Sequence, residues 1–108
     1  MKKAMISQPM GGVSEKEIVA TRDRAVCYLR EQGYLFENTL FTDEWYDEEK
    51  ARIPERITNS ALFFLARSLE AMSRCSSVYF CKGWEYARGC KIEHDAAVAY
   101  GLEIIYES

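Results

Sequence analysis

Glu93 is the residue of this chain whose type and position most suggest chemistry. It stands four residues after Gly89 and four before Ala97, so in a helix all three share one face. The two small neighbours would leave open space beside the carboxylate. If that helix follows a β-strand in an open α/β sheet, it begins at the ligand crevice. Glu93 is then placed where a reactive carboxylate would face a bound small molecule.

The alternative interpretation of these charges is structural. A glutamate in the first turns of a helix often does no more than complement the helix dipole, and Glu93 could have that role alone. We expect Glu85 and Asp95 to be solvated. We expect His94 to lie at the surface or to pair with a neighbour, rather than to act as a ligand or a base.

A second candidate segment reads Ser-Gln-Pro-Met-Gly-Gly-Val-Ser, from Ser7 to Ser14. Gly11 and Gly12 would let backbone amides approach an anion, and the N-terminus of the following helix adds positive potential. The segment is therefore similar to a phosphate or ribose cradle, although two glycines before a helix also form ordinary turns. It matches neither the Walker loop nor the Gly-x-Gly-x-x-Gly fingerprint.

Two loops carry tryptophan beside other aromatic residues. Trp45 and Tyr46 lie in an acidic stretch, where flat rings could stack on a heterocyclic base. The alternative is that they attach a long loop to the core or form a subunit contact. Trp84 lies in the Gly-rich loop that leads to Glu93.

Hydrophobic periodicity predicts the elements that position these residues. Short apolar runs predict four strands, at 4–7, 34–36, 77–81 and 103–106.

Helical spacing predicts three helices between these strands. The first begins at the Ser14 N-cap and ends at Gly33, the second follows an apolar stripe over 57–72, and the third spans 89–100. The residues 37–56 are expected to form a long, irregular, acidic loop, and loops of that length are usually functional or mobile.

Strands that alternate with helices predict an α/β fold with a four-stranded parallel sheet and helices on its faces. Right-handed crossovers favour the strand order 2-1-3-4, a small flavodoxin-like or Rossmann-like three-layer fold. The order reverses between strands one and three, and ligands bind such sheets outside the carboxyl ends of the strands at that point. The loop after strand one and the start of the last helix are expected to meet there.

Composition limits the class of protein. The chain has 108 residues, 48% hydrophobic and 29% charged, which predicts one soluble globular domain over 1–108. The net charge of -3 gives no basic surface for a nucleic acid polymer. No apolar run approaches the ~20 residues of a membrane span, so no membrane partner is expected. The first residues do not form a signal peptide, which favours a cytoplasmic protein.

The cysteines give no indication of a metal centre. The chain has four cysteines without a Cys-x-x-Cys pair, and one histidine. A structural zinc site usually needs four closely spaced ligands, so we expect reduced, mostly buried thiols and no metal. Nothing indicates an organic cofactor, and none is expected.

The two site segments together resemble the nucleoside 2-deoxyribosyltransferase-like family, most closely its short phage and bacterial members, which are related to deoxynucleotide N-glycosidases. The resemblance covers nearly the whole chain and is most specific in the segments 6–11 and 83–102. It implies that Glu93 is the nucleophile and that the loop 7–12 holds the 5′ side of a sugar or a 5′-phosphate. The expected substrate-binding residues are Ser7, Gln8, Met10, Gly11, Gly12, Trp45, Trp84, Arg88 and Gly89.

The chain departs from the family pattern at the second acid. Enzymes of that family usually carry aspartates near the end of helix two and at the start of strand three, where this chain has Ser68 and serines at 76–77. A leaving base needs a proton or a hydrogen-bond donor. The alternatives left open are a residue of a second subunit or one of Asp43, Asp47 and Asp95.

The resemblance implies retaining cleavage of an N-glycosidic bond, or deoxyribosyl transfer, on a nucleoside or nucleoside 5′-monophosphate. The base and the sugar, ribose or 2′-deoxyribose, are left open. The alternative is a non-catalytic nucleotide-binding or sensing module on the same fold, and a purely structural role is a third possibility. Family members assemble into dimers or larger oligomers, and the many aromatic residues of so short a chain also favour a homo-oligomer.

Overall fold

The structure is a computed structural model that describes residues 1–37, 39, 43–52 and 57–108, and within 43–52 it describes side chains from residue 46 onward. Its strands form one sheet in which every neighbouring pair is parallel, in the order β2-β1-β3-β4. The strands are β1 (Lys3–Ser7), β2 (Leu35–Glu37), β3 (Ser77–Phe80) and β4 (Glu103–Tyr106). The predicted α/β fold and strand order are confirmed.

Helices connect these strands, and three of them lie within a few residues of the bounds that the apolar periodicity predicts. They are α1 (Glu15–Glu31), α2 (Asp43–Arg52), α3 (Ser60–Met72) and α4 (Arg88–Ala99), with a short 3-10 helix at Trp84–Tyr86. The N-cap predicted for α1 is confirmed, because the Ser14 hydroxyl accepts a hydrogen bond from the Glu17 amide at 3.2 Å. Asn59 caps α3 in the same way through the Leu62 amide, at 2.9 Å.

The helix α2 corrects the predicted irregular loop over 37–56. Its sequence carries almost no apolar stripe, so periodicity gave no helix signal there. Acidic residues open it and Lys50 and Arg52 close it, an arrangement that the helix dipole favours. Tyr46 packs against the rings of Phe63 and Phe64 at centroid distances of 5.9 and 5.2 Å. Tyr46 therefore attaches this segment to α3, which was the structural alternative.

Two cores lie on opposite faces of the sheet and make the molecule three layers deep. On one face, Ala4 and Ile6 of β1 pack with Ala25 and Leu29 of α1. On the other face, alternate strand residues pack against α3 and α4, in a cluster of Met5, Ala71, Met72, Cys75, Val78, Phe80 and Ala97. The period of two along β1 sends Ser7 to the second face, toward α4.

Among the residues that the structure describes, no helix has both the length and the apolar composition needed to cross a bilayer.

Candidate active site

A cavity of about 960 Å³ opens at the carboxyl edge of the sheet, where β1 and β3 lie side by side. Its wall comes from the loop after β1, the first half of α3 and the first turns of α4, together with Arg22 of α1. This is the point where the strand order reverses, so the fold places a cavity where the sequence predicted one.

Glu93 lies in the wall of this cavity with 7% of its surface exposed. Its Oε1 atom accepts a hydrogen bond of 2.7 Å from the hydroxyl of Ser7, the last residue of β1. In the described residues no lysine, arginine or histidine forms an ion pair with it. The carboxylate is therefore oriented by the strand end and is not neutralised by a surface cation.

The environment shifts the protonation of Glu93. Burial raises the pKa of its carboxyl group, because the charged form loses solvation. The hydrogen bond from the Ser7 hydroxyl opposes that rise, as do the nearby Ser68 hydroxyl and the positive charge of Arg22. Burial thus favours the neutral form of the Glu93 carboxyl group, whereas its three polar neighbours favour the ionised form.

Ser68 is the helix serine that the sequence analysis placed near the second acid of the resembled enzymes. It lies on α3, lines the cavity, and its hydroxyl lowers the pKa of Glu93. A serine hydroxyl at this position therefore favours the charged form of the buried glutamate. A second carboxylate at that place would raise the pKa of Glu93 by like-charge repulsion.

Arg22 is a site residue that was not predicted from the sequence. Its side chain is 9% exposed and lines the cavity, and its Nε atom donates to Gln8 Oε1 at 3.1 Å. The signal was present, because Ile18, Arg22, Ala25 and Leu29 recur at helical intervals on the inward face of α1. An arginine inside an apolar stripe is unusual, since charged residues are rarely buried unless paired.

A protein-family model matches residues 2–106 of this chain, and its description is domain of unknown function (DUF4406). The chain belongs to the DUF4406 family. No curated protein and no solved structure shows significant similarity to it.

In this DUF4406 domain, most of the predicted substrate-binding residues meet in one place. Met10, Gly11, Arg88 and Gly89 line the cavity together with Glu93. A Cβ atom built on Gly89 would meet no atom within 4 Å, so the space predicted beside the carboxylate is open on that side.

Gln8 has a more specific place than the sequence indicated. Its amide lines the cavity but is engaged at both ends, because Nε2 donates to the Ile18 carbonyl at 2.6 Å and Oε1 accepts from Arg22. Gln8 therefore fixes the position of the Arg22 guanidinium. Gly12 does not line the cavity, and the side chain of Trp45 lies outside the described residues.

Trp84 lies apart from the cavity of Glu93. Its ring stacks on His94 with centroids 4.1 Å apart and contacts Phe80 and Tyr106 at 5.5 and 5.8 Å. This cluster borders a separate cavity of about 480 Å³ above β3 and β4. His94 also makes a 2.6 Å hydrogen bond with the Tyr106 hydroxyl, so it is a pairing residue, as predicted.

Within the described part of the DUF4406 domain, Glu93 is the only carboxylate that lines the cavity. Asp47 and Asp95 are exposed on α2 and α4 and do not reach it, and the side chain of Asp43 lies outside the described residues. Glu85 is exposed, as expected. The described residues also form no group of three histidine, cysteine or acidic side chains that could hold a metal ion.

The thiols are free, and three of the four are buried, as predicted. Cys90 lies in the cavity wall one turn before Glu93, and burial raises its pKa to about 11. At neutral pH this thiol is protonated and does not compete with Glu93 as a nucleophile, because thiolates rather than thiols attack.

Proposed function

We propose that this protein cleaves the N-glycosidic bond of a nucleoside or nucleoside 5′-monophosphate, with Glu93 as the nucleophile. The observation that carries the proposal is one buried carboxylate, oriented by a strand-end serine and open to a cavity of about 960 Å³. A cavity of that size is in the range that holds small organic ligands. The resemblance of the segments around Ser7 and Glu93 to deoxyribosyltransferase-like enzymes supports the same chemistry.

The reaction balances with the groups at hand. A Glu93 oxygen forms a bond to the anomeric carbon while the bond from that carbon to the base nitrogen breaks. The base leaves with the bonding electron pair and takes up a proton from water. Water or a second base then attacks the same carbon, the ester to Glu93 breaks, and the sugar keeps its original anomeric configuration.

The surroundings of Glu93 suit this role. The carboxylate must be ionised to attack, and Ser7, Ser68 and Arg22 favour the ionised form. Burial removes water that would otherwise solvate the carboxylate. The transition state carries positive charge on the sugar ring, and a nearby carboxylate in a poorly solvated site stabilises that charge strongly.

The second candidate is a non-catalytic nucleotide-binding or sensing module. It is favoured by one observation, the lack of a second carboxylate among the described residues that line the cavity. Without a proton donor, departure of the base is slow. A proton donor from a second subunit, or protonation of the base by water, would still allow the protein to act as an enzyme.

The experiment is incubation with deoxynucleosides, ribonucleosides and their 5′-monophosphates, followed by chromatography for free base. Release of base that is lost by at least ~1,000-fold in Glu93→Gln supports the proposal. Glu85→Gln is the matched control, because Glu85 is exposed and lies outside the cavity. Ligand-induced thermal stabilisation without base release would establish the sensing module instead. Neither release nor stabilisation would leave a structural role.

We also propose that the protein acts as a homo-oligomer in the reducing cytoplasm, where its free cysteines stay reduced. Four exposed apolar residues line the mouth of the cavity, namely Met10, Leu62, Tyr86 and Ile92. Such a cluster is typical of an interaction surface. A monomeric mass by light scattering at micromolar concentration would contradict the oligomer. A dimer that Leu62→Glu converts to monomer would support it.

A further inference from the structure

Two oppositely charged side chains line the cavity, and consecutive residues at the end of β1 hold them. The Ser7 hydroxyl donates to Glu93 Oε1 at 2.7 Å, and Gln8 Oε1 accepts from Arg22 Nε at 3.1 Å. Successive residues of an extended chain send their side chains to opposite faces of a sheet. Arg22 therefore reaches the cavity from the α1 layer and Glu93 reaches it from the α4 layer.

The Gln8 side chain is committed to helix α1. Its Nε2 atom donates to the Ile18 carbonyl at 2.6 Å, and its Oε1 atom accepts from Arg22 one turn further along the same helix. Only 8% of its surface is exposed. The amide thus links the backbone of α1 to the guanidinium, and it fixes the place of the Arg22 charge.

The charge of Arg22 acts on Glu93. Burial lowers the pKa of Arg22, and Cys81 and Glu93 oppose that effect. Burial raises the pKa of the Cys81 thiol to about 12, so this thiol is protonated at neutral pH and Glu93 is the ionised group of the two. The effect is mutual, because burial raises the pKa of Glu93 and the Arg22 charge counteracts the rise.

Arg22 exerts this effect without touching the carboxylate. In the described part of the chain the two groups form no direct ion pair, and the Arg22 Nη1 atom is buried without a hydrogen-bond partner. A direct ion pair would occupy a carboxylate oxygen that has to reach the sugar. A charge held farther away still acts strongly through a poorly solvated interior, and it leaves the carboxylate accessible.

The other groups around Glu93 carry no buried charge at neutral pH. Burial raises the pKa of Cys90, on the same helix, to about 11, so its thiol is protonated. Arg88 lines the cavity at the start of α4 but is exposed, and water screens its charge. The described residues that α3 contributes to the wall are all uncharged. Arg22 is therefore the buried cation that Glu93 experiences among the described residues.

We propose that Gln8 and Arg22 are positioning residues, in which Gln8 fixes the Arg22 guanidinium and the guanidinium keeps Glu93 in the ionised form that attacks. The catalytic consequence rests on the proposed function, whereas the effect on the ionisation of Glu93 does not. The assignment of Gln8 differs from the resemblance to the transferase-like family, which implies a contact with the substrate.

The test is an NMR titration of the Glu93 carboxyl carbon in protein labelled with ¹³C-glutamate. The Glu93 signal is identified by its absence in Glu93→Gln. Arg22→Met should move the midpoint to higher pH, because the neighbouring positive charge is lost. Arg22→Lys keeps the charge and should restore the midpoint in large part. An unchanged midpoint in Arg22→Met would overturn the proposal.

Gln8→Met should move the midpoint in the same direction by a smaller amount. The double variant Gln8→Met/Arg22→Met should move it no further than Arg22→Met alone, because Gln8 acts through Arg22. If Gln8→Met instead raises KM and leaves the titration of Glu93 unchanged, Gln8 binds substrate and its assignment as a positioning residue is wrong.

Arg24→Met is the matched control, because Arg24 lies on the same helix but is exposed and pairs with Glu107 at 3.4 Å. It should leave the midpoint unchanged. If Arg88→Met moves the midpoint and Arg22→Met does not, the assignment to Arg22 is wrong. The wild type alone gives a further test, since the Nε–H resonance of Arg22 should shift with the same midpoint as Glu93. No such shift would contradict the proposal even if the Arg22 variants fail to fold.

The outcome separates this inference from the proposed function. If base is released, kcat/KM of Arg22→Met should fall roughly 3- to 10-fold more at pH 6 than at pH 8, the effect of one nearby charge on ionisation. Base release that depends on Glu93, with a titration that ignores Arg22, would keep the enzyme and refute the positioning role. A titration that responds to Arg22, without base release from any substrate, would keep the electrostatic coupling and refute the enzyme.

Discussion

At the scale of single residues, the site depends on the hydrogen bond between Ser7 and Glu93. The serine hydroxyl can donate to a carboxylate and to a carboxylic acid, but it favours the charged form more. Burial acts in the opposite direction on the same group. The protonation of Glu93 is therefore set by the opposing effects of the Ser7 hydrogen bond and burial. Changing either effect should alter both the stability of the protein and its activity.

Glu93→Gln should increase the stability of the protein at pH 7 while removing activity. The folded state raises the pKa of Glu93, so it prefers the neutral form, and the stability that this group contributes is present at low pH and is lost as pH rises through the raised pKa. Glutamine resembles the neutral form at every pH. Urea denaturation should show a gain of about 1 kcal/mol at pH 7 that shrinks toward pH ~4.3, where glutamate protonates in the unfolded chain. A loss of stability at pH 7 that does not change with pH would contradict this sign.

Ser7→Ala should move the acid limb of the base-release profile to higher pH. The hydroxyl lowers the pKa of Glu93, so its removal leaves a larger share of the carboxyl groups protonated at pH 6. We expect kcat/KM to fall more at pH 6 than at pH 8.

Ser77→Ala is the control for Ser7→Ala, because Ser77 is equally buried and donates to Glu103 at 2.7 Å on the opposite side of the fold. Both changes should cost about 1 kcal/mol of stability. If Ser77→Ala shifts the pH profile of base release as much as Ser7→Ala does, the effect of Ser7→Ala is structural.

At the scale of secondary-structure elements, the loop before α1 and the first turns of α4 line the cavity, and each contains glycine. Gly12 lies in the loop before α1 with a φ of 75°, whereas Gly89 is the second residue of α4 and has no such conformation. Neither has an atom within 4 Å of a built Cβ. Space is therefore equal at the two positions, and only backbone conformation differs.

Gly12→Ala and Gly89→Ala should change stability in opposite directions. Alanine in a left-handed conformation is strained, so Gly12→Ala should lower the free energy of unfolding by about 1 kcal/mol. Alanine in a helix restricts the unfolded chain, so Gly89→Ala should raise it by about 0.5–1 kcal/mol. Chemical denaturation of both variants measures the two signs. Two losses of similar size would show that the space beside Gly89 is not open.

Helix α2 shows where element-level prediction fails. Its hydrophobic stripe is too weak to reveal a helix, and its stability comes from contacts with α3. Glu49 accepts from Arg67 at 2.8 Å, and Tyr46 packs on the α3 rings. In α1 and α3, by contrast, caps and stripes are local in sequence, and the predicted helices agree with the structure to within a few residues.

At the scale of the whole molecule, packing buries three of the four thiols, two in the cores and one in the cavity wall. Cys75, Cys81 and Cys90 are buried, and burial raises the pKa of Cys81 to about 12. Cys27 is exposed on α1. The layers on both sides of the sheet therefore give the chain one accessible thiol.

A disulfide reagent such as DTNB should react quickly with one thiol per chain in the native state at pH 8. The other three should react only after unfolding, because they are buried and protonated. Cys27→Ser should remove the fast reaction. A second fast thiol, removed by Cys90→Ser, would show that the cavity wall opens to bulky reagents.

The sequence by itself determined the sheet, its strand order and the placement of Glu93 on the first turns of the last helix. These features follow from local periodicity, helix caps and the right-handed crossover, which any stretch of chain expresses without reference to distant residues. The helical spacing of α1 also indicates that Arg22 faces inward, but the tertiary structure alone decided that its side chain shares a cavity with Glu93. The tertiary structure likewise decided that Ser7 reaches Glu93 across 86 positions of sequence and that Trp84 does not line that cavity. Contacts between distant segments depend on how the layers pack, and no local pattern encodes them.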